Sequence, residues 1–323
     1  MKMRIGIVGA AGANAKNHIS AWQKAGAFIK VVIDLDETKG KEVARNIGAS
    51  YLSDYKALDS GDVDAASISL PPYLHSDVCK YFLEKNIHVL CEKPVTLNRS
   101  EGNALMGTLR ASKAFLMAGF CLRFNSLYVK MRELIQNGEI GEIVMLNSRF
   151  STFNAAASGW RSDPAKGGGI CLVNRIHAID LAYWLLGQRI ISVDAYGNSM
   201  FFKGKAEDNC LLVLEHEKGC ISKIYGHYWR IKKSIVDFEI IGSKGRIAVE
   251  NNNSLTLERE NSEAISLSVP ENNMYAAEVR HFISSIQNNQ SPACGLEDSM
   301  RATDIVEEAI LSITERRRIC HAN

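Results

Sequence analysis

Chemistry is concentrated in one short stretch, His88-Val89-Leu90-Cys91-Glu92-Lys93-Pro94. There an acid, a lysine and a proline follow an apolar run that has the composition of a buried strand. Ligands of open α/β sheets bind outside the carboxyl ends of the strands, so a lysine at this point can exchange a proton with a substrate oxygen. Proline restricts the chain after it and readily takes a cis peptide bond. The alternative interpretation is a surface loop in which Glu92 and Lys93 are merely solvated.

A second stretch has the composition of a phosphate-binding turn. The strand pattern at 4–8 is followed by small residues and then by a helical pattern; the turn residues that we expect to meet a cofactor are Gly9, Ala11, Gly12, Ala13 and Asn14. Small residues let the backbone approach a pyrophosphate, and a helix N-terminus supplies N–H groups and the positive end of its dipole. The spacing is G-x-x-G-x-x-A and not the usual G-x-G-x-x-G, so the turn alone is weak evidence.

An acid follows the second strand pattern at about the distance expected in a dinucleotide site. The strand at 28–33 ends at Asp34, 25 positions after Gly9, where an acid about 20 residues from the turn would bond the adenosine ribose. Asp36 and Glu37 follow, and no arginine stands beside them to receive a 2′-phosphate. The pattern favours NAD over NADP.

The elements that must position these residues alternate between strands and helices. Strand patterns lie at 4–8, 28–33, 65–70, 88–93 and 114–119, and helical patterns follow residue 14 and lie at 39–47, 74–85 and 99–112. Such alternation builds βαβ units. Residues 1–121 are therefore predicted to form a Rossmann domain of the α/β class, with a doubly wound parallel sheet.

The pattern changes after residue 121. Strand-like runs lie at 143–150, 190–196, 210–216, 220–228, 235–241, 246–250, 254–259 and 264–268, with hairpin turns at 217–219 and 242–245. A helix is predicted from Ile170 to Leu186 and another from Leu296 to about Arg318. Residues 122–323 thus form an α+β domain with a large, mostly antiparallel open sheet, and the last helix has the option of packing on the first domain. The helices are too few to cover both faces, which predicts a homodimer or homotetramer.

Composition narrows the classes of function. The 323 residues are 46% hydrophobic and 23% charged, as in an ordinary globular protein of about two domains. A net charge of +2 gives no electrostatic reason to expect nucleic acid or a membrane surface as a partner. No apolar run approaches the roughly 18–20 residues of a membrane span, and the chain starts directly with a strand, so we expect no signal peptide. Eight scattered cysteines without C-x-x-C or zinc spacing indicate reduced thiols in the cytoplasm and no metal site.

The assembled motifs resemble the glucose–fructose oxidoreductase, inositol dehydrogenase and rhizopine catabolism (Gfo/Idh/MocA) oxidoreductase family over essentially the whole chain. The most specific motif is Cys91-Glu92-Lys93-Pro94; the others are Leu70-Pro71-Pro72-Tyr73-Leu74-His75, Gly119-Phe120-Cys121-Leu122-Arg123-Phe124, Gly138-Glu139-Ile140-Gly141, Trp160-Arg161 and the segment from Gly167-Gly168-Gly169 through His177 to Asp180-Leu181. The resemblance implies an NAD(P)-binding Rossmann domain, a C-terminal domain with a large open sheet, and hydride transfer to or from a sugar-like carbinol. It also implies a cis Lys93–Pro94 bond.

The resemblance extends the list of site residues. Residues expected beside the cofactor, in addition to the turn and Asp34, are Leu70, Pro71, His75, Glu92 and Lys93. Residues expected beside the substrate are Arg123, Trp160, Arg161, Asn174 and His177. Arg and aromatic pairs also serve subunit interfaces, so the assignment of Arg123, Trp160 and Arg161 has that alternative.

The departures from the family bear on the mechanism. Pro71-Pro72 replaces the family's Pro-Asn, which removes an amide contact to the cofactor. The inositol dehydrogenase motif D-x-G-x-H reads Val173-Asn174-Arg175-Ile176-His177, so the acid that would assist the histidine is absent. Lys93 is therefore the first choice for the acid/base, and His177 is the alternative. Asp180 either orients the histidine ring or faces the interior.

Two residues on the same helix have further assignments. Asn174 and His177 are three apart and share a face, so Asn174 is expected to bond a substrate hydroxyl. Arg175 is either a surface residue, which we favour, or a clamp for a substrate anion.

These observations predict an NAD-dependent oxidoreductase acting on a secondary alcohol or ketone of a sugar, a cyclitol or a sugar derivative. Two other classes stay open. One is a regulator that binds NAD or a sugar without turnover, and the other is an NADPH-dependent reductase of an imine or a conjugated pigment.

Overall fold

Two sheets organise the chain, each within a compact unit. The computed structural model describes residues 2–12, 14–153, 159–201, 205–229 and 231–321. Residues 1–124 and 273–300 form the first unit, and residues 125–272 and 301–323 form the second.

The first unit contains a six-stranded parallel sheet. Its elements before residue 125 are β1 (Arg4–Val8), α1 (Ala15–Lys24), β2 (Phe28–Ile33), α2 (Glu37–Ile47), β3 (Ser50–Leu52), β4 (Ala65–Ile68), α3 (His75–Glu84), β5 (His88–Glu92), α4 (Arg99–Ala111) and β6 (Leu116–Gly119). The strand order is β3-β2-β1-β4-β5-β6, and every neighbouring pair is parallel. The predicted doubly wound Rossmann sheet is confirmed. We did not predict β3, because three residues are too few to show a period of two.

The strand order reverses between β1 and β4, so the loops that leave these strands define a topological switch point. Gly9 follows β1 with φ +83°, and a Cβ there would lie 2.7 Å from the Ser69 carbonyl oxygen beyond β4. Glycine is required for both reasons, since other residues rarely adopt this φ. The turn after β1 and the loop after β4 are thus packed against each other at the edge where ligands bind.

The second unit contains a nine-stranded mixed sheet. The remaining elements of the chain are α5 (Ser126–Gln136), β7 (Ile143–Phe153), α6 (Ile176–Leu186), β8 (Ile190–Asn198), β9 (Asn209–His216), β10 (Ile221–Trp229), β11 (Ile235–Gly242), β12 (Gly245–Glu250), β13 (Ser254–Arg259), β14 (Ile265–Leu267), α7 (Met274–Gln287), α8 (Leu296–Glu315) and β15 (Ile319–Cys320). The order is β14-β13-β12-β11-β7-β10-β9-β8-β15, and only the β7–β10 pair is parallel among these neighbours. The predicted large, mostly antiparallel sheet is confirmed.

Two helices without a predicted counterpart complete the units. Helix α5 lies in the second unit, whereas α7 and the start of α8, as far as Met300, belong to the first. Helix α7 packs on α1, with the ring centroids of Trp22 and Phe282 6.4 Å apart. The Rossmann unit is therefore completed by a segment that the chain reaches only after building the second sheet.

Side chains alternate between the two faces of the second sheet. On β9 and β10, Leu212, Leu214 and Ile224 are buried and face the side on which α6 packs. The intervening residues, among them Ile221 and Tyr225, are half-buried or exposed. One face of this sheet is thus a core, and the other is accessible in the single chain.

One helical stretch, residues 164–186, has the length and apolar composition of a membrane span. We had expected no such stretch. In its most apolar 18-residue window, 67% of the residues are buried inside the protein, as in a core helix. Its apolarity is explained by packing against the second sheet.

Arg175 belongs to this helical stretch. We favoured a position at the surface for it, and that prediction was wrong. The side chain is fully buried, with Nη1 donating to the Tyr225 carbonyl oxygen at 2.8 Å and Nη2 donating to that of Phe150. Both terminal nitrogens donate to backbone oxygens and the side chain has no exposure, so the structure does not support an anion clamp either. Burial lowers the pKa of the guanidinium. The space that Arg175 fills exists because residue 226 is glycine, where a Cβ would overlap the Phe150 oxygen and the guanidinium.

Gly226→Ala is expected to lower the free energy of unfolding by about 1–3 kcal/mol or more, because the added methyl forces β7, β10 and Arg175 apart. Gly107→Ala in α4 is the matched control, since a Cβ there meets nothing within 4 Å. It should leave stability unchanged or raise it by up to about 1 kcal/mol. Urea unfolding measures both, and equal stabilities for the two variants would contradict the packing.

Candidate active site

The turn after β1 leaves the N-terminus of α1 suited to an anion. A Cβ on Gly12 would lie 2.7 Å from the Ser69 oxygen, so the turn stays close to the sheet. The N-cap residue Asn14 makes no side-chain cap, and the first turn of α1 contains no acid. Helix N–H groups and the positive dipole end are therefore not neutralised by the turn's own side chains, which fits a pyrophosphate. Ala13 lies outside the described residues.

Asp34 joins the end of β2 to this turn. Its Oδ2 accepts the Ala11 N–H at 2.7 Å, and its Oδ1 accepts the Asp36 N–H at 2.8 Å. Each carboxylate oxygen has two lone pairs, so acceptor capacity is left for the hydroxyls of a ribose. Asp36 itself caps α2 through the Lys39 N–H, which explains why an acid stands there.

His75 connects the loops that follow β4 and β5. Its Nδ1 lies 2.6 Å from the carbonyl oxygen of Pro94, and its Nε2 lies 2.8 Å from that of Leu70. Burial lowers the pKa of His75, and the two carbonyl contacts oppose that shift. Pro71 follows Leu70 and is half-buried. The histidine thus holds the predicted cofactor loop beside the Lys93–Pro94 segment.

Glu92, the last residue of β5, contacts the first turns of α1. Its Oε1 accepts bonds from Asn14 Nδ2 at 3.2 Å and from His18 Nε2 at 3.0 Å. We had placed Glu92 and Asn14 directly on the cofactor. The structure binds these two side chains to each other beside the turn, and their contact with a cofactor stays a prediction.

Lys93 follows at the carboxyl edge of the sheet, is half-buried, and precedes a cis peptide bond to Pro94, as the resemblance implied. Two buried groups of the same unit, Cys121 and Glu278, lie within electrostatic range of Glu92. Burial raises the pKa of both groups, and the charge of Glu92 raises them further. Glu278 therefore releases its proton at a higher pH than an ordinary carboxyl does.

In the second unit, the predicted helix begins as a π-helix, Cys171–Arg175, and continues as α6. Such turns are frequently found at functional sites. Asn174 lies in the π segment, where its Oδ1 accepts the Tyr228 hydroxyl at 3.1 Å and its Nδ2 donates to Thr152 at 3.3 Å. His177 is half-buried in the first turn of α6. Asp180 is only 2% exposed, so it faces the interior.

Trp160 and Arg161 are held against the start of the π-helix. The Arg161 guanidinium lies 4.5 Å from the Trp160 ring centroid. Gly168 packs so closely on the backbone of both residues that a Cβ would lie 2.6 Å from each carbonyl oxygen. The glycine run therefore brings these two residues beside the segment that carries Asn174.

Two residues of this region were missed by sequence reasoning. Glu207 Oε1 accepts the Cys171 N–H at 2.9 Å and so caps the π-helix, while burial raises the pKa of Glu207. Tyr228 is 4% exposed, and burial raises its pKa as well. A polar side chain within a strand pattern was the available signal for Tyr228; Glu207 had none.

Arg123 is buried and bound to other residues of the first unit. Its side chain is 5% exposed, its Nη2 pairs with Asp298 at 3.0 Å, and its Nη1 donates to the Ala293 carbonyl oxygen at 3.1 Å. These contacts bind the segment that follows β6 to residues 273–300 of the same unit. The role of Arg123 beside a substrate stays a prediction. In the described part of the chain, no group of three or more His, Cys, Asp and Glu side chains is arranged to hold a metal ion.

Two family models match the chain and cover most of it. Residues 3–120 match the NAD-binding Rossmann fold of an oxidoreductase family, and residues 132–320 match the C-terminal α/β domain of the same family, that of glucose–fructose oxidoreductase, inositol dehydrogenase and the rhizopine catabolism oxidoreductases. The chain belongs to this oxidoreductase family. Its first unit is an NAD-binding Rossmann domain.

Individual relatives agree with the family assignment. The chain is 27% identical to the inositol 2-dehydrogenase of Rhizobium meliloti over 99% of both chains, and 25% identical to the myo-inositol 2-dehydrogenase of Thermotoga maritima over 98% of both. A solved structure of a candidate myo-inositol dehydrogenase from Sinorhizobium meliloti aligns over 99% of this chain and 100% of the other, with a TM-score of 0.84 and 26% identity. The chain is thus similar over its full length to polyol dehydrogenases of the family.

Glu278→Gln is expected to stabilise the protein increasingly as pH rises. Glu278 keeps its proton in the folded state at pH values where the unfolded chain, with a carboxyl pKa near 4.3, has lost it. Wild-type stability therefore falls as pH rises through that window, by up to about 1.4 kcal/mol per pH unit, and glutamine removes this loss. Urea unfolding at pH 5 and pH 8 gives the difference.

The matched control is Glu37→Gln in α2, where the Lys41 hydrogen bond lowers the pKa of an exposed carboxyl. That variant should show no stabilisation at pH 8. A Glu278→Gln effect of equal size at both pH values would contradict the raised pKa of Glu278.

Proposed function

We propose that the protein is an NAD-dependent dehydrogenase that transfers hydride between the nicotinamide and a secondary alcohol or ketone carbon of a sugar, cyclitol or sugar derivative. The observation that carries this proposal is the placement of Lys93 at the carboxyl edge of a Rossmann sheet, one residue after Glu92 is bound to the phosphate-binding turn. A cofactor site and a proton-transfer group are thereby built at the same edge.

The residues for the cofactor are those of the first unit. The turn with Gly9, Ala11 and Gly12 and the N-terminus of α1 would hold the pyrophosphate, because their N–H groups and dipole face no acid of the helix. Asp34 would accept the ribose hydroxyls and repel a 2′-phosphate, which favours NAD over NADP. When bound, NAD supplies the hydride exchange.

The proton is assigned to Lys93, with His177 as the alternative. An alcohol that loses hydride must also lose its hydroxyl proton, and a positioned amine or imidazole can accept it. Val173 stands where inositol dehydrogenases of the family have an acid, so His177 lacks that assistance and Lys93 is preferred.

The substrate class follows from the second unit and from the relatives. Asn174, Trp160, Arg161 and His177 offer amide, aromatic and basic groups of the kind that bind polyhydroxylated rings. The relatives with full-length similarity are named inositol dehydrogenases. A cyclitol or cyclic sugar is therefore the first substrate to test.

Wild-type protein is expected to reduce NAD, followed at 340 nm, with at least one member of a panel of cyclitols, sugars and sugar acids, and to do so more efficiently than NADP. Lys93→Ala should lower kcat about 10²–10⁴-fold while NADH still binds, as loss of an acid/base does. Lys80→Ala, an exposed lysine of α3, is the control and should leave kcat unchanged.

Three results would contradict this assignment. Preference for NADP with activity on imines would favour the reductase, and NAD or sugar binding without turnover would favour a regulator. Near-normal activity of Lys93→Ala would move the acid/base role to His177.

We further propose that the accessible face of the second sheet binds a second copy of the chain, giving a homodimer, with a homotetramer as the larger alternative. Apolar side chains of neighbouring strands stand opposite one another on this face, since Leu211 pairs with both Tyr196 and Tyr225. Tyr196 is 63% exposed and Ile221 is 40% exposed. Burying such a patch is the common reason for association.

Sedimentation velocity at micromolar concentration is expected to show a dimer or tetramer. Leu211→Asp should shift it toward monomer, because a carboxylate in the centre of the patch would be buried without a partner. Leu35→Asp is the control, as Leu35 is 88% exposed in the first unit. A wild-type monomer would refute the proposal.

A cytoplasmic location completes the proposal. All eight cysteines are free thiols and seven of them are buried, which suits a reducing compartment.

A further inference from the structure

Four polar side chains of the first unit form one continuous hydrogen-bonded chain. Ser67 Oγ lies 2.9 Å from Nδ1 of His18, whose Nε2 lies 3.0 Å from Oε1 of Glu92. The same oxygen accepts the Asn14 amide at 3.2 Å. Ser67, His18 and Glu92 are 0%, 1% and 7% exposed. Burying so many polar groups costs free energy unless each is hydrogen-bonded, and here each has a bond.

The order serine, histidine, acid is also that of a hydrolase triad, but the geometry excludes that role. Ser67 lies within β4, which is paired on one side with β1 and on the other with β5. Its side chain has no exposure, so no substrate can reach the hydroxyl. The serine is instead a rigid anchor in the middle of the sheet.

We propose that His18 is a positioning residue that holds Glu92, and with it Lys93, in register with the cofactor-binding turn. This inference rests on the proposed function, since it concerns the group assigned to proton transfer. Both ring nitrogens are engaged, Nδ1 with the Ser67 hydroxyl and Nε2 with the Glu92 carboxyl. Asn14 binds the same carboxylate oxygen, so the turn and the end of β5 meet at one atom.

Two residues of the same unit, Glu278 and Tyr275, lie near this series of hydrogen bonds. Burial raises the pKa of Glu278, and the charge of Glu92 raises it further. The Tyr275 ring packs 6.2 Å from the His18 ring, which limits the imidazole to one position.

Two amide replacements separate the two ring nitrogens. The terminal nitrogen of glutamine reaches about as far as Nε2, and that of asparagine about as far as Nδ1. His18→Gln can therefore still donate to Glu92, while His18→Asn can contact only Ser67. We expect His18→Asn to lower kcat about 10–100-fold with substrate KM changed less than about threefold, because a displacement of about 1 Å costs that much. His18→Gln should retain kcat within about threefold.

The matched control is a second buried His–Ser pair, which belongs to the other unit. His216 Nε2 lies 2.7 Å from Ser222 Oγ, and both residues are fully buried. His216→Asn should lower the melting temperature as much as His18→Asn does and leave kcat unchanged. Circular dichroism confirms that each variant is folded at the assay temperature.

The outcomes separate this inference from the proposed function. If wild-type protein turns over no substrate of the panel, the proposed function fails, and the inference is judged by NADH fluorescence titration. There His18→Asn should raise the NADH Kd at least threefold and His18→Gln should not. Equal effects of the asparagine and glutamine replacements, on kcat or on Kd, would overturn the positioning role, as would wild-type behaviour of His18→Asn.

Discussion

The parallel pairing of β1, β4 and β5 is the constraint from which the candidate cofactor site follows. Parallel strands end at the same edge of a sheet, so residues far apart in the chain are delivered to one place. Gly9 follows β1, Ser69 follows β4 and Glu92 ends β5. Gly9 packs on Ser69, and Glu92 is hydrogen-bonded to Asn14 at the start of α1. If any of these strands ran in the opposite direction, the turn after β1 and Lys93 would not lie at the same edge of the sheet.

Buried polar groups make this edge rigid. His75 joins the loops beyond β4 and β5, and His18 joins α1 to β4 and β5. A buried polar network stabilises one arrangement because each unsatisfied member would be costly. Lys93 lies directly after Glu92 and before the Pro94 carbonyl that His75 contacts, so these neighbours fix its place at the edge of the sheet.

The second unit contains a buried charge, that of Arg175. Arg175 occupies the place of a glycine in the inositol dehydrogenase motif, and its guanidinium is stabilised by two backbone carbonyls and the Phe150 ring, 5.4 Å away. Gly226 has no side chain and so leaves space for the guanidinium. Residues 173 and 175 both differ from the inositol dehydrogenase motif, and both lie in the segment that precedes His177. Tyr228 and Glu207 are hydrogen-bonded to this π-helical segment, at Asn174 and Cys171.

The sequence by itself determined the classes of element and the principal candidates. Periods of two and 3.6, glycines at the turn and the acid-lysine-proline motif are local signals, and they predicted the parallel sheet, the mostly antiparallel sheet, Asp34 and Lys93. Tertiary structure alone decided the partners. His18 and Glu92 are 74 residues apart, and Arg123 and Asp298 are 175 apart, so no local pattern connects them. Helix α7 was missed because its membership of the Rossmann unit depends on packing against α1. Arg175 was misplaced for the same physical reason: a charged residue is expected at the surface unless distant backbone oxygens meet it, and only folding brings Phe150 and Tyr225 to its guanidinium.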